Sequence, residues 1–212
     1  VDEYDIAGGG IITELVHDEQ EGLREEARQR EYAWLTGDVR AEDRATQYGH
    51  RAAIVLFTGS AQTGKTFLAR RVEALLVADS RHAYLLEGEN LLQGLDADLS
   101  AADPSFAAER VRRYGEVARL LIDTGLIVVS TSKTFGINYQ RMAEMIRTLV
   151  QPAPVIAVHM SRAGEEPPPN TDLHFAGPQD FDAAARQILE ELKRRGVLIQ
   201  PSGTKSTIQY SI

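Results

Sequence analysis

The sequence predicts an α/β fold in three layers, with a mainly parallel sheet between two sets of helices. Three observations lead to it. Gly59-Ser60-Ala61-Gln62-Thr63-Gly64-Lys65-Thr66 fits the pattern G-x-x-x-x-G-K-(S/T), between an apolar run at 52–57 and a helix-competent stretch at 67–76. Short apolar runs at 52–57, 82–86, 126–130 and 155–160 lack strict alternation, as strands buried on both faces do. Helical signals fall between these runs, and alternating β and α units give parallel strands with right-handed crossovers.

Taken in order, residues 1–13 form a short apolar run broken by Gly8-Gly9-Gly10. Residues 14–50 read as a helical linker, dense in Glu, Arg and Gln, with a break at Gly37-Asp38 and a second short helix to about Tyr48. The first strand and its glycine-rich loop then lead into the helix at 67–76. A second strand at 82–86 ends in Glu87-Gly88-Glu89-Asn90, followed by a short helix at Asn90–Leu95. The next helix spans 104–124, with Asp103 as cap, Pro104 in the first turn and Gly125 as terminator. Its buried stripe is Val111, Tyr114, Ala118 and Leu121. After the strands at 126–130 and 155–160 comes a loop at 163–170. The last helix covers 180–195, turning Phe181, Ala184, Ile188 and Leu192 inward and placing Lys193, Arg194 and Arg195 at the negative end of its dipole. Residues 199–212 are a polar tail with a short edge strand at 206–212.

The 212 residues suit one domain with appendages, or at most two small domains, and 43% hydrophobic content is enough for one sizeable core. A net charge of −8 sets a general nucleic-acid-binding role aside, because such a surface repels phosphate backbones. The absence of cysteine removes disulfides, thiolate metal sites and a cysteine nucleophile. No long apolar segment or leader is visible, so the expectation is a soluble, cytoplasmic protein without a membrane partner.

The loop at 59–66 carries the chemistry. Its small residues let successive backbone N–H groups turn onto phosphate oxygens, and the following helix N-terminus adds positive potential. Lys65 is placed to reach the β- and γ-phosphates and Thr66 to hold a magnesium ion. The class is therefore the three-layer αβα P-loop nucleoside-triphosphate-hydrolase/kinase fold, with ligands at the carboxyl ends of the strands. Glu87 and Glu89 follow a strand that should neighbour the loop; one could orient magnesium and the other take a proton from an attacking hydroxyl. An acidic turn that only caps the next helix explains them equally well. Lys133, just past the third strand, suits either a phosphate or sulfate contact or a solvated loop, and Arg110, Arg112 and Arg113 read as a solvated basic face. The five histidines show no metal-ligand spacing and are read as structural or surface residues.

Over roughly residues 39–198 the chain resembles the adenylylsulfate (APS) kinases. The matching stretches are Gly49-His50-Arg51, Phe57-Thr58-Gly59 through Gly64-Lys65-Thr66, Tyr84-Leu85-Leu86-Glu87-Gly88-Glu89-Asn90, Gly94-Leu95-Asp96-Ala97-Asp98-Leu99, Arg112-Arg113-Tyr114-Gly115-Glu116-Val117-Ala118 and Gly125-Leu126-Ile127-Val128-Val129-Ser130. Tyr4-Asp5-Ile6-Ala7-Gly8-Gly9-Gly10-Ile11 is similar to the end of the last barrel in the GTPase-type sulfate adenylyltransferase large subunit, so the likeness implies a fused sulfate-activation protein. It divides the chain into a barrel end at 1–13, a linker at 14–50, the kinase-like domain at 51–198 and a tail at 199–212.

That family moves the γ-phosphoryl group of ATP to the ribose 3′-hydroxyl of APS, with magnesium. By position, the likeness puts the ATP phosphates on Gly59, Ser60, Ala61, Gln62, Thr63, Gly64, Lys65 and Thr66, Glu89 where the family's base is Asp, Glu87 at the other acidic position and Asn90 at an unchanged one. Asn90, Arg110 and Lys133 stand at or near acceptor-contacting positions, and ATP or ADP with APS or another small nucleotide are the implied ligands; a homodimer is one assembly to expect. The departures are specific. Asp-Gly-Asp-Asn has become Glu-Gly-Glu-Asn; substrate arginines fall at Leu92 and Ala107, a substrate Asn at Arg110 and a purine-packing aromatic near Ala101. A Ser-Pro-aromatic-Arg segment has become Lys133-Thr134-Phe135-Gly136, and the basic lid after 155–160 is missing. Three readings follow: an APS-kinase-type phosphotransferase, a kinase-like module that binds a nucleotide without turning it over and regulates a fused adenylyltransferase, or an oligomerisation domain with an unused loop.

Overall fold

A computed structural model describes residues 22, 25, 29, 33–35, 37–131, 138–177 and 180–199. The expectations for 1–13, for residues 200–212, for most of the stretch 14–32 and for Lys133 lie outside these residues. Helix α1 spans Ala41–Tyr48 and strand β1 Ala53–Gly59; α2 is Lys65–Ala78, β2 is Ala83–Glu87, and a 3-10 turn covers Gly88–Leu91. Then come α3 (Phe106–Asp123), β3 (Ile127–Thr131), α4 (Tyr139–Leu149), β4 (Val155–Ser161), β5 (Leu173–Ala176) and α5 (Phe181–Arg194).

The five strands form one parallel sheet in the order β2-β3-β1-β4-β5. β1, β3 and β4 are buried at every position, which is why their sequences run apolar without alternation. Ala53, Val55 and Phe57 join Leu68, Val72 and Leu76 of α2 and Ala184, Ile188 and Leu192 of α5 in one core. Ile54 and Leu56 point the other way, onto Val111, Tyr114 and Ile122 of α3 and Met142 and Ile146 of α4. Helices therefore cover both faces, as expected. Among the described residues no helix is long and apolar enough to cross a membrane.

Four details correct the sequence reading. β2 pairs with β3 rather than beside β1, because the fully buried Ile127–Thr131 takes the interior place and the half-exposed Ala83–Glu87 the edge. The helix expected at Asn90–Leu95 is a 3-10 turn that begins at Gly88. Helix α3 starts two residues later than expected; Asp103 instead ties the preceding turn, its Oδ1 accepting from the Ser105 amide and hydroxyl. In the stripe of α3 Leu121 is only half-buried, and Ile122 takes the buried place. Asp180 caps α5 by accepting from the amides of Asp182 and Ala183. β5 and α4 were not anticipated.

His50 anchors the start of the domain. It is fully buried, and its Nε2 accepts the His82 backbone N–H at 2.9 Å. The proton must then sit on Nδ1, which donates to the Arg51 carbonyl at 3.2 Å. Tyr48 lies over His82 with ring centroids 4.2 Å apart, so the end of α1 is held against the start of β2. Burial, assisted by His82 and Arg81, lowers the His50 pKa below its usual 6.5 against the Arg51 hydrogen bond. A histidine with a depressed folded pKa stabilises above its unfolded pKa and loses that contribution as the pH falls through the folded value. Thermal melts from about pH 8 to pH 5 should therefore show a His50→Ala cost that shrinks toward acid. A cost that grows toward acid would contradict the neutral tautomer.

Candidate active site

The glycine-rich loop leaves β1 at the carboxyl edge of the sheet. Gly59, Gln62 and Gly64 have φ of +125°, +62° and +87°. Alternation of left- and right-handed residues turns successive N–H groups to one side and builds an anion-binding concavity. Gln62 adopts this conformation without being glycine, a local strain of the kind that clusters where ligands are held. The Ser60 amide donates to the Met160 carbonyl at 3.0 Å, so β4 fixes the loop's entrance. The Thr63 hydroxyl donates to the Ser60 carbonyl at 2.9 Å and fixes its far side.

Lys65 closes the loop on itself. Its Nζ donates to the Gly59 carbonyl at 2.8 Å and the Ser60 carbonyl at 2.5 Å. An ammonium has three donors, so one N–H is left for an anion in the concavity. The residue is only 7% exposed, and burial lowers its pKa, with the Glu89 charge acting against that shift. Glu89 is thus within electrostatic reach of Lys65, although β3 stands between their strands. Thr66 follows in the first turn of α2 and is half-buried.

The acids at the end of β2 differ. Glu87 Oε1 pairs with the exposed Arg70 guanidinium at 3.0 Å, which links β2 to α2. Glu89 and Asn90 lie on the 3-10 turn, half-buried and exposed respectively. Below them Tyr114 donates its hydroxyl to the Leu86 carbonyl at 2.7 Å and shares a 2.6 Å hydrogen bond with Ser130 Oγ. This ties α3 to the ends of β2 and β3. Burial raises the Tyr114 pKa well above its usual value; the Ser130 bond opposes that rise, and the Glu89 and Glu87 charges add to it. Removing the hydroxyl with Tyr114→Phe leaves Leu86 and Ser130 short of a partner. Urea titration should show a loss of about 1–3 kcal/mol at unchanged slope.

The arginines of α3 do not form the solvated face that the sequence suggested. Arg110 is 6% exposed, with its Nε 3.4 Å from Asp96 Oδ2 and its guanidinium 5.5 Å from the Phe106 ring centroid. Arg112 donates to Glu109, and Arg113 donates to Glu109, Asp98 and the Leu95 carbonyl. Hydrogen bonding, first from Arg112 and then from Arg113, pulls the Glu109 pKa down to about 2. The Arg110–Asp96 and Arg113–Asp98 pairs clasp the 92–98 turns onto α3, next in the chain to the 3-10 turn that carries Glu89.

Three further features gather around the loop. The Ser60 hydroxyl donates to Glu165 Oε2 at 2.6 Å, and the Arg162 amide donates to the same oxygen at 2.9 Å. The segment after β4 thereby lays a carboxylate against the phosphate loop. Thr58 Oγ1 and His159 Nδ1 are 2.9 Å apart on neighbouring strands just below the loop, and the His159 pKa is lowered by burial and then by His174 and Lys65. Phe67 and Phe181 meet beside Gly64, with ring centroids 4.8 Å apart. Only the pairing Thr58↔His159 and Gly59↔Met160 brings the first two groups to the loop, and no local pattern encodes that register. Among the described residues no group of three or more His, Cys, Asp or Glu side chains could hold a metal by itself.

The family model described as adenylylsulphate kinase matches residues 51–167, more than half of the chain. An adenylyl-sulfate kinase of Yersinia pestis is 29% identical over 194 residues, covering 78% of this chain and 89% of the relative. One from Shewanella amazonensis is 38% identical over 128 residues, and there the match spans 60% of this chain and 63% of the relative. The structure of a mutant Mycobacterium tuberculosis APS kinase superposes with a TM-score of 0.59 at 29% identity, covering 68% of this chain and 99% of that one. With the glycine-rich loop, the parallel sheet and these likenesses together, the chain belongs to the adenylylsulfate kinase family.

Proposed function

We propose that residues 51–198 form an ATP-dependent phosphotransferase domain that phosphorylates the 3′-hydroxyl of APS to give PAPS. The observation that carries this reading is the Lys65 side chain, bound to the Gly59 and Ser60 carbonyls and coupled to the Glu89 charge. Loop amides hold the phosphates of ATP, and the spare Lys65 N–H lies where charge gathers on the transferring group. Glu89 takes the proton of the attacking hydroxyl, and Asn90, Arg110 and Lys133 are the residues assigned to contact the acceptor by the family likeness. A magnesium ion would be held by the Thr66 hydroxyl and, once Glu87 is released from its pair with Arg70, by the Glu87 carboxylate, oxygen donors of the kind this ion takes. When bound, it would supply positive charge against the phosphates.

A coupled assay of ATP consumption with APS tests the proposal, with Lys65→Ala as the blank. Rates no higher than that blank would sink it for this acceptor. A second reading, a catalytically degenerate nucleotide-binding regulatory module, is favoured by the Arg110–Asp96 and Arg70–Glu87 pairs, which occupy groups an anionic acceptor and a metal would use. Saturable heat with ATP or ADP but no turnover would support it.

The wider setting belongs to the same proposal: a role in sulfate activation in the cytoplasm, with residues 1–13 ending the barrel of a fused sulfate adenylyltransferase, 14–50 a linker, 199–212 a tail, and a homodimer as the assembly to test.

A further inference from the structure

Phe67 has no part in either core. It is 61% exposed in the first turn of α2, while its neighbours Leu68 and Ala69 are fully buried. Its ring meets the half-buried Phe181 at the start of α5, with centroids 4.8 Å apart and planes tilted by 53°. The Phe181 ring lies against the loop itself, since a Cβ on Gly64 would come within 2.5 Å of it. Arg71, one turn beyond Phe67, donates its Nε to Oδ1 of Asp182, the residue after Phe181, at 2.6 Å, closing one side with a polar rim. An apolar ring left in water beside a phosphate-binding loop carries a cost that a covering ligand removes.

The strand order says which part of a ligand would cover it. Glu87 ends β2 and Glu89 follows it at one end of the order β2-β3-β1-β4-β5, Phe181 follows β5 at the other, and the loop after β1 lies between. The transferring phosphoryl must lie between Lys65 and Glu89, on the β2 side. The opposite end of the nucleotide then points toward β5. We propose that Phe67 and Phe181 form a stacking platform for the purine base of the nucleotide whose phosphates occupy the loop; this rests on the nucleotide reading above. Stacking on an aromatic ring tolerates any base, and the larger purine face gains most. The pair therefore sets a preference for purine over pyrimidine triphosphates.

Calorimetric titration of the full chain with ATP, CTP and inorganic tripolyphosphate, each with magnesium, tests this. Phe67→Ala should weaken ATP about 5- to 100-fold and leave tripolyphosphate within about twofold. Phe67→Trp should retain ATP affinity, and Phe181→Leu, which keeps an apolar contact on Gly64, should lose affinity for ATP alone. The ATP-over-CTP preference should narrow in Phe67→Ala. Equal ATP affinity in wild type and Phe67→Ala, or an equal loss for ATP and tripolyphosphate, overturns the platform while the loop reading stands. Failure of the wild-type chain to bind either ATP or tripolyphosphate means the loop reading fails first and the platform falls with it.

Discussion

Lys65→Ala is expected to lower kcat/KM for ATP and APS by at least about 10²- to 10³-fold, the usual cost of deleting one preorganised stabiliser of transition-state charge. Two separate losses add in this protein. The first is the spare N–H that faces the transferring group. The second is the clasp, because Nζ binds the carbonyls of Gly59 and Ser60 and so holds the entrance of the loop in shape. Lys65→Arg should fail almost as badly: a planar guanidinium cannot replace a compact ammonium between two carbonyls 2.8 and 2.5 Å away in a site that is 7% exposed. Steady-state kinetics with a circular-dichroism melt separates chemistry from folding. Wild-type turnover in Lys65→Ala would end the enzyme reading.

The parts of this site that are contiguous in sequence were legible and those that depend on register were not. Residues 59–66 announce a phosphate loop because one short segment supplies the turn, the amides, the cation and the helix start. The acids Glu87 and Glu89 stand out as candidates for the same reason, though their strand was set one place too close to β1; telling an edge strand from an interior one needed the burial of β3. Helix α4 had a readable signal, with Met142, Met145, Ile146 and Leu149 buried at helical spacing behind the Asn138 cap, but it was passed over. β5 offered almost none, since only Phe175 of its four residues is buried. Arg110 reads in sequence as one of three clustered cations; its burial against Asp96 depends on the fold of the 92–98 turns. Glu165 and His159 reach the loop only through the pairing of β4 with β1.

That pairing is also where the smallest substitution should do the most damage to the fold. An added Cβ at Gly59 would lie 1.8 Å from the Met160 carbonyl oxygen and 2.7 Å from its carbon. These are backbone atoms of a strand residue that is 1% exposed, so no side-chain rotation can relieve the overlap. The φ of +125° adds strain for any residue with a side chain. Gly59→Ala must therefore part β1 from β4, breaking the 3.0 Å bond from the Ser60 amide to Met160 and moving both carbonyls that hold Lys65. The expected loss exceeds about 4 kcal/mol, among the rare large effects of single substitutions, and phosphate affinity should vanish with it. Gly64→Ala is the useful contrast. Its Cβ meets only the Phe181 ring, at 2.5 Å, and a ring can swing aside, so backbone strain of about 1–2 kcal/mol should dominate its cost. Thermal melts and tripolyphosphate titrations of the two variants give the ranking. Should Gly59→Ala melt within a few degrees of the wild type, the close approach of Met160 to the loop does not hold the phosphate site in place.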